Sequence, residues 1–522
     1  MISLQKKYAM LCVLAVSLIG VVSLAFATRL GAGILPDSTV YVDAANNLLM
    51  GRGLSVQSGP DEFTPLAHFP LLFPALLAIV GGLGFDVSSG ARWLNVLLFG
   101  GNVLLVGLIV RRCAGGPTWA SVLGAYFVWT STGMLLVHSM AWTEPLFIFA
   151  SLSGLLLLGI YIEGHKKSCL LASSVAVAMG FLARYIGATL VITGVTGIFL
   201  LSKQPLIKRL IDGAVFATLS SLAMLLWLTR NLLVVGNATN RAPVFHPLSP
   251  SHARGAVRTL AVWLLPESVP NVTGGIIALI VVASAMAWFV LALRQRGWSK
   301  AIALIKQNCD VIPHLFFVFA IVYVAFLVIS ISFVDAATSL NLRTMTPVYV
   351  SVLILALYGG SKLLPDIGFR PRTRKVQATY TILGLVLAAS YLIRATGFVA
   401  NGYSDGLGYV RQFGQSATLQ RLEGFPTDAP VYSNGPDVIR ALVGRFAYMV
   451  PQKQDPTSRI PNDAYVAELD TMKRRLAEGE GIIVWLDAVH RWYLPSEEEL
   501  RDVLPLELTG SQKDGAIYRL VQ

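Results

Sequence analysis

Arginine is the residue type whose distribution points most directly to chemistry. Arg184, Arg230 and Arg343 stand at the ends of apolar segments, and other arginines lie in the polar stretches between such segments. A guanidinium binds phosphate through paired hydrogen bonds and stays charged near a low-dielectric surface. One such arginine is often only an interfacial residue that extends toward water. The whole set indicates a phosphate-bearing ligand; it comprises Arg29, Arg52, Arg92, Arg184, Arg230, Arg241, Arg254, Arg258 and Arg343.

Carboxylates occupy similar positions. Asp37 is the first carboxylate after the first apolar segment. It stands where a helix could begin, so it is equally a candidate helix N-cap. Glu144, in Thr143-Glu144-Pro145, opens another apolar segment, where a carboxylate also favours the helix dipole. Asp335 and Arg343 straddle a short polar stretch.

The composition is that of a membrane protein. The chain of 522 residues is 55% hydrophobic and only 13% charged, whereas a soluble domain carries about 25% charged residues. Several apolar stretches approach the roughly 20 residues that cross a bilayer. The formal charge of +12 fits basic loops beside anionic lipid, and we expect no nucleic-acid partner. Four cysteines without CxxC spacing favour neither a disulfide framework nor a zinc site.

The lysines predict the topology. With about eleven spans, every lysine before residue 400 falls on the cytoplasmic side, as the positive-inside rule requires. This holds only if residues 66–84, which contain His68, lie along the outer surface without spanning. The predicted spans are residues 9–29, 91–110, 118–136, 145–162, 168–183, 186–201, 210–233, 271–292, 313–334, 345–364 and 377–398.

Two steps of this topology have alternatives. Residues 1–29 form an uncleaved first span or, alternatively, a signal peptide. Residues 168–201 form two short helices that meet at Arg184-Tyr185, or one long tilted helix. The arginine set then lies at the outer surface. We expect a multi-pass protein, of bacterial inner-membrane type, whose N-terminus is cytoplasmic.

The chain divides into two predicted domains. Residues 1–399 form the helical membrane domain, with an outer first loop and juxtamembrane helices in residues 30–90. Residues 400–522 are polar enough for a small α/β domain, which the odd number of spans places outside. Within it we expect strands at 431–433, 481–485 and 516–521, and helices from about residue 436 and over 463–478.

The order of short motifs resembles the GT-C superfamily of polytopic glycosyltransferases, especially protein O-mannosyltransferases and lipid A aminoarabinose transferases. The resemblance covers roughly residues 1–400. Its motifs are Asp37 with Tyr41 and Gly51-x-Gly53; Pro65-Leu66, Phe69-Pro70 and Pro74; Gly84 with Arg92-Trp93-Leu94-Asn95; Thr143-Glu144-Pro145-Leu146-Phe147; Arg184-Tyr185; Trp227 with Arg230-Asn231; and Arg343 with Pro347.

The resemblance implies an inverting transfer of a hexosyl or pentosyl group from a polyprenyl-phosphate-linked donor to an acceptor at the outer face. Asp37 matches the family's first-loop acidic residue, whose carboxylate can accept the acceptor's proton. Cations beside the leaving phosphate stabilise its developing charge, and Arg343, Arg230 and Arg184 are the candidates. Further site candidates are Tyr41, Asp43, His68, Glu144 and Asp335.

One departure concerns metal binding. The mannosyltransferases have two adjacent acidic residues where this chain has Asp37-Ser38. We therefore assign no metal ligands, although a divalent metal stays possible, and the acceptor stays open among lipid, glycan and protein. Two other functions remain as alternatives. A lipid or polysaccharide flippase or transporter would favour inverted repeats and mid-membrane charges, which the sequence lacks. A non-catalytic envelope-assembly protein is the second.

Overall fold

A computed structural model of the protein describes residues 2–114, 118–266, 310–363 and 374–521, and also residues 269, 273–277, 279, 280, 283 and 287. These parts of the chain are mostly helical, with a small sheet near the C-terminus. The predicted fold class, a polytopic helical bundle with a small C-terminal α/β region, is confirmed.

Seven helices among the described residues are long and apolar enough to cross a membrane. A polar face is not needed where lipid or other helices surround a helix, so these segments are apolar on nearly every side. The helices are α1 (Ile2–Ala27), α4 (Val87–Cys113), α7 (Glu144–Gly164), α10 (Leu206–Val235), α12 (Val311–Phe333), α13 (Leu342–Tyr358) with a π-helical turn (Gly359–Leu363), and α14 (Arg374–Asp405).

Shorter helices complete the bundle. α5 (Thr118–Trp129) and α6 (Thr132–Ser139) are bent by 53° and together count as an eighth candidate span. The bend falls at Ser131, whose side chain accepts from the backbone of Met134 and so starts a new helix. Between α7 and α12 lie α8 (Lys167–Ala183), a 3-10 turn (Tyr185–Gly187), α9 (Ala188–Leu201) and α11 (Pro250–Leu264).

Helix α8 ends just before Arg184, as predicted by the alternative in which residues 168–201 form two short helices. The chain turns so tightly there that Gly187 lies directly against the backbone of Phe181. The predicted spans 168–183 and 186–201 are therefore separate helices, and both are shorter than a typical span. The total of about eleven spans stays a prediction, because 271–292 falls mostly outside the described residues.

The first loop folds against the start of α4. It contains α2 (Pro36–Leu49), a hairpin of β1 (Ser55–Gln57) and β2 (Phe63–Pro65), and α3 (Leu72–Gly82). An 11-residue helix reaches only about 16 Å, half the thickness of a bilayer core. The expectation that residues 66–84 do not span is consistent with this length.

The C-terminal domain begins after α14, which ends at Asp405, so the predicted boundary at residue 399 falls inside a helix. Its strands form one sheet in the order β4-β3-β5-β7-β6, parallel between β4, β3 and β5 and antiparallel beyond. The elements are α15 (Tyr409–Phe413), α16 (Ala417–Leu422), β3 (Val431–Ser433), α17 (Pro436–Leu442), β4 (Tyr448–Met449), α18 (Tyr465–Glu478), β5 (Ile482–Leu486), α19 (Glu497–Val503), β6 (Leu506–Gln512) and β7 (Gly515–Leu520).

The bundle has two chemically different ends. α8 runs from Lys167 to Ala183, next to Arg184, and α13 with its π turn runs from Leu342, next to Arg343, toward Lys362. We call the end with Arg184 and Arg343 the site end, and the other the lysine end. Lys362 pairs with Asp310 at 2.5 Å at the lysine end.

Candidate active site

Asp37 lies in the first turn of α2 and points away from the helix. Leu35 occupies the N-cap, and no side chain caps this helix. The alternative role of Asp37 as a helix N-cap is therefore wrong. Its Oδ2 accepts a hydrogen bond from Nη2 of Arg343 at 2.6 Å, and its side chain is 30% exposed. Solvent can therefore still reach the Asp37 carboxylate beside Arg343.

Glu144 is the buried centre of the site. It is the first residue of α7, and its side chain is only 2% exposed. Its Oε1 accepts from Nε of Arg343 at 2.5 Å and also pairs with Nη1 of Arg184. A buried carboxylate needs such partners, because desolvation of an unpaired charge costs several kcal/mol. Glu144 therefore fixes two guanidinium groups at once.

The two arginines reach Glu144 from separate elements. Arg343 stands in the first turn of α13, which begins with a capping box between Asn341 and Thr344. Its guanidinium lies on the ring of Trp142, 3.8 Å from the ring centroid. Arg184 has extended backbone at the break after α8, and its Nη1 donates to Thr143 Oγ1 at 3.0 Å. Asp37, Glu144, Arg184 and Arg343 together carry no net charge.

Tyr41 lies one turn after Asp37 on α2, buried close enough to this network to feel its charges. Its ring packs edge-on against Phe69 and Phe73, with centroid distances of 4.9 and 5.5 Å. Burial, followed by the negative charges of Asp37 and Glu144, raises the pKa of Tyr41 far above its ordinary value. Tyr41 is therefore a neutral phenol that cannot serve as a base at neutral pH.

A second polar cluster surrounds Arg241. Its Nη2 donates to Nε2 of His68 at 3.0 Å, and its Nε lies 3.6 Å from Oδ2 of Asp335. Burial, reinforced by Arg241, lowers the pKa of His68 to about 4, so this imidazole is neutral at pH 7. His68 and Asp335, both predicted site residues, thus lie together, although neither bonds to Asp37.

Arg230 joins the second cluster, not the first. Its Nη1 donates to the carbonyl of Leu66 at 2.9 Å, and its guanidinium lies over Trp227. Tyr185 donates to the carbonyl of Ala67 at 2.9 Å, and Arg241 lies over the Tyr185 ring. Because Tyr185 follows Arg184 in the chain, it connects the two clusters. With His68 neutral, the cations Arg230 and Arg241 lie near the carboxylate of Asp335, and Asp455 acts on His68 as a further negative charge.

Asp43 is a predicted site residue that the structure places elsewhere. Its Oδ1 accepts from Nε of Arg440, at 3.2 Å, so it joins α2 to the C-terminal domain. Burial raises the pKa of Asp43 more than the Arg440 cation lowers it.

The residues do not fit a divalent metal. Hard cations bind several oxygen ligands at once. Within the described residues, no three His, Cys, Asp or Glu side chains come close enough to hold one. Between Asp37 and Glu144 stands the guanidinium of Arg343, which takes one oxygen of each carboxylate.

Three buried polar atoms beside this network lack a hydrogen-bond partner among the described residues. They are Ser38 Oγ, Trp142 Nε1 and Glu144 Oε2. Buried polar groups are nearly always paired in native proteins, so such atoms mark places for an ordered water or a ligand group. Their chain neighbours Asp37 and Thr143 belong to the charged network.

Three residues that contact predicted site residues were not themselves predicted as site residues. Arg241 belonged to the arginine set, but nothing in the sequence paired it with His68. Trp142 immediately precedes Thr143-Glu144, and an aromatic residue beside an acidic one was the available signal. Arg440 lies in the other domain, and no local pattern connects it with Asp43.

Known structures share this fold. No protein-family model matches the sequence, and no curated protein matches it. ArnT from Cupriavidus metallidurans bound to undecaprenyl phosphate is similar with a TM-score of 0.55 and 12% identity, over 97% of both chains. Archaeoglobus fulgidus AglB, an oligosaccharyltransferase in complex with an inhibitory peptide and a dolichol-phosphate, has a TM-score of 0.52 and 12% identity, over 92% of this chain and 70% of that one.

A third match is the arabinofuranosyltransferase AftD from Mycobacteria, with a TM-score of 0.51 and 15% identity, over 98% of this chain and 40% of that one. All three are GT-C superfamily glycosyltransferases. At these identities the likeness is one of fold, and the GT-C-like fold expected from the sequence motifs is confirmed.

Proposed function

We propose that this protein is a membrane glycosyltransferase that moves a sugar from a polyprenyl-phosphate-linked donor to an acceptor at the outer face of the membrane. The observation that carries the proposal is the pairing of Asp37 with Arg343 at the site end of a GT-C-like bundle. A partly exposed carboxylate beside fixed guanidinium groups is the combination that transfer from a sugar phosphate needs.

Asp37 acts as the general base. Its Oδ1 has no hydrogen-bond partner among the described residues, and its side chain is 30% exposed. An acceptor hydroxyl donates to this oxygen, and its proton passes to Asp37 as the hydroxyl oxygen bonds to the anomeric carbon. The bond from that carbon to the phosphate oxygen breaks on the opposite face, so the transfer inverts the configuration. The phosphate leaves with the electron pair.

The arginines stabilise the leaving group. A donor phosphodiester carries one negative charge, and the released polyprenyl phosphate gains another, so transfer creates negative charge at the phosphate. Nη1 of Arg343 has no hydrogen-bond partner among the described residues. This atom can therefore donate to a phosphate oxygen. Arg184 and Arg230 are the further candidates. The guanidinium groups of Arg230 and Arg241 favour a phosphate beside the second cluster.

Glu144 holds the arginines in place. A carboxylate that is 2% exposed and bonded to two guanidinium groups is poorly placed to take a proton from an acceptor. Because it fixes the orientation of Arg184 and Arg343 before the donor arrives, little reorganisation is needed during transfer.

The charge distribution supports an outward-facing site. Lys166 and Lys167 stand where α8 begins, and Lys362 stands beyond α13, so all three lie at the lysine end. The positive-inside rule places that end in the cytoplasm, and Asp37 then faces outward together with the C-terminal domain. The acceptor is a lipid, a glycan or a protein that carries a hydroxyl group.

A doubly labelled donor tests the function. The purified protein in vesicles receives a polyprenyl-phosphate sugar that is labelled with ¹⁴C in the sugar and ³²P in the phosphate, together with an envelope extract as acceptor. A transferase yields a product with ¹⁴C alone and a lipid with ³²P alone. If both labels stay on one molecule that crosses the bilayer, the protein is a flippase. If neither label moves, the assembly role gains support.

A further inference from the structure

Residues 33 and 34 connect the segments that lead to Asp37 and to Glu144 with the C-terminal domain. On one side Gly33 pairs with Met140: its N–H donates to Ser139 at 2.9 Å, and its carbonyl accepts from Ala141 at 3.0 Å. On the other side Ile34 pairs with Gly408, and its carbonyl accepts from the N–H of Tyr409 at 3.0 Å. The segments that lead to Asp37 and to Glu144 are therefore tied to the first residues of the C-terminal domain.

Gly408 makes this approach possible. It has φ +58° and ψ −133°, a conformation that residues with a side chain rarely adopt. A Cβ atom there would lie 2.4 Å from the carbonyl oxygen of Ile34 and 2.8 Å from its nitrogen. Both contacts are with backbone, which cannot swing aside as a flexible side chain does. Any other residue at position 408 must push Ile34 away.

A second contact holds α2 further along. Arg440, in the last turn of α17, pairs with Asp43 at 3.2 Å, and both side chains are at least two-thirds buried. Nearby, the Tyr409 hydroxyl and Arg491 both bond to Asp437, which fixes α15 to α17. The apolar side chains of Ile34 and Leu35 pack against the core of the same domain. The same domain thus contacts residues on both sides of Asp37.

The geometry points to a positioning role for the C-terminal domain: through Gly408 and Arg440 it clamps α2, and thereby sets the place of Asp37 in front of Arg343. This inference rests on the proposed function. Asp37 stands three residues after Ile34, in the first turn of a helix. A displacement of Ile34 therefore moves the Asp37 carboxylate by a similar distance. Misplacing a catalytic group by about 1 Å can lower a rate by about 10²-fold.

Two glycine variants, both at positive φ, test the clamp. Gly444 has φ +72° and lies in the same domain, and a Cβ atom added there would meet no other atom within 4 Å. Gly408→Ala is expected to lower kcat by about 10²-fold, while the KM for polyprenyl-phosphate sugar and its affinity stay within two-fold. Gly444→Ala also places a side chain at positive φ but displaces no neighbour, and it should leave kcat within two-fold. Equal kcat values in Gly408→Ala and Gly444→Ala would contradict the positioning role of the C-terminal domain.

A charge exchange provides a test that does not depend on Gly408→Ala folding well. Arg440→Asp and Asp43→Arg each place two like charges together, and each is expected to lower kcat by at least ten-fold. The double variant restores an opposite pair and should recover most of that loss. A double variant that is as slow as the slower single one would show that the contact does not position α2.

Hydrogen exchange separates the clamp from the proposed function. In Gly408→Ala, amides of residues 38–43 should exchange faster than in wild type, and in Gly444→Ala they should not. This comparison needs no substrate. If wild type forms no glycosidic bond, the proposed function fails while exchange still decides whether the domain holds α2. If wild type transfers sugar and hydrogen exchange is unchanged in Gly408→Ala, the positioning role of the C-terminal domain is wrong, while the proposed glycosyltransferase function is supported.

Discussion

Arg343 donates to Asp37 across 2.6 Å, although 306 residues separate them in the chain. The contact joins the starts of α2 and α13, and the start of α7 adds Glu144 on the other side of the guanidinium. Carboxylates are favoured at helix N-termini and cations are not. Arg343 therefore depends on Asp37 and Glu144 for its place, and this mutual dependence is what the following variants probe.

Replacing Arg343 by Lys keeps the charge and removes the planar fork. An ammonium group cannot bridge Asp37 and Glu144 while it also lies flat on Trp142. One lost hydrogen bond between charged groups is worth about 1.5–3 kcal/mol, so donor affinity should fall about 10- to 100-fold at normal expression. Titration with polyprenyl-phosphate sugar measures this. Near-wild-type affinity in both Arg343→Lys and Arg343→Ala would remove Arg343 from the donor site.

Glu144→Gln should destabilise the protein strongly. It leaves Arg184 and Arg343 buried without their shared carboxylate, a defect that costs about 3–5 kcal/mol. Glu163→Gln is the matched control, because it breaks an ion pair with Arg112 whose side chains are 35% and 47% exposed. Such a pair contributes at most about 1 kcal/mol. Thermal unfolding in detergent compares the two, and similar losses would contradict a central role for Glu144.

His68 should make the protein less stable in mild acid. Its folded pKa of about 4 lies below the ordinary value, so between about pH 6.5 and 4 only the unfolded chain takes up this proton. Stability from this residue is therefore complete above that window and is lost as the pH falls through it. His68→Gln keeps an acceptor for Arg241 and cannot titrate. Its Tm should fall less between pH 7.5 and 4.5 than that of wild type; equal falls would refute the neutral imidazole.

Cysteine labelling tests the orientation. In a cysteine-free variant of the chain, Ser58→Cys in the first-loop hairpin and Ser511→Cys in the C-terminal domain should react with an impermeant thiol reagent on intact cells. Ser168→Cys, exposed at the lysine end, should react only after permeabilisation. The positive-inside rule gives this result. Labelling of Ser168→Cys in intact cells would place Asp37 in the cytoplasm and end the outer-face proposal.

The sequence was informative where local patterns decide structure. Apolar length predicts the long helices, Arg184-Tyr185 marks the break, and Gly51 ends α2 at positive φ. Strands β3, β5 and β7 are largely apolar and were predicted. β4 has only two residues and β6 has no buried position, so both were missed.

The partners within the site could not be predicted. Asp37 and Asp43 are six residues apart on one helix, which turns their side chains to different faces, so only one of them can meet Arg343. Which one does so depends on how α2 is rotated against α13. Arg230 likewise ends a span on the same side as Arg343, but helix packing directs it to the carbonyl of Leu66. Tertiary packing, not local sequence, therefore determines which group each arginine contacts.

The most direct measurement is sugar transfer by Asp37→Asn beside Asp310→Asn. Both carboxylates are 30% exposed and each pairs with one cation, but Asp310 lies at the lysine end. A general base contributes about 10²–10⁴-fold to rate. We expect Asp37→Asn to bind donor and lose transfer by that factor, Asp37→Glu to be partly active, and Asp310→Asn to remain within two-fold of wild type. Transfer by Asp37→Asn within a few-fold of wild type would contradict the account.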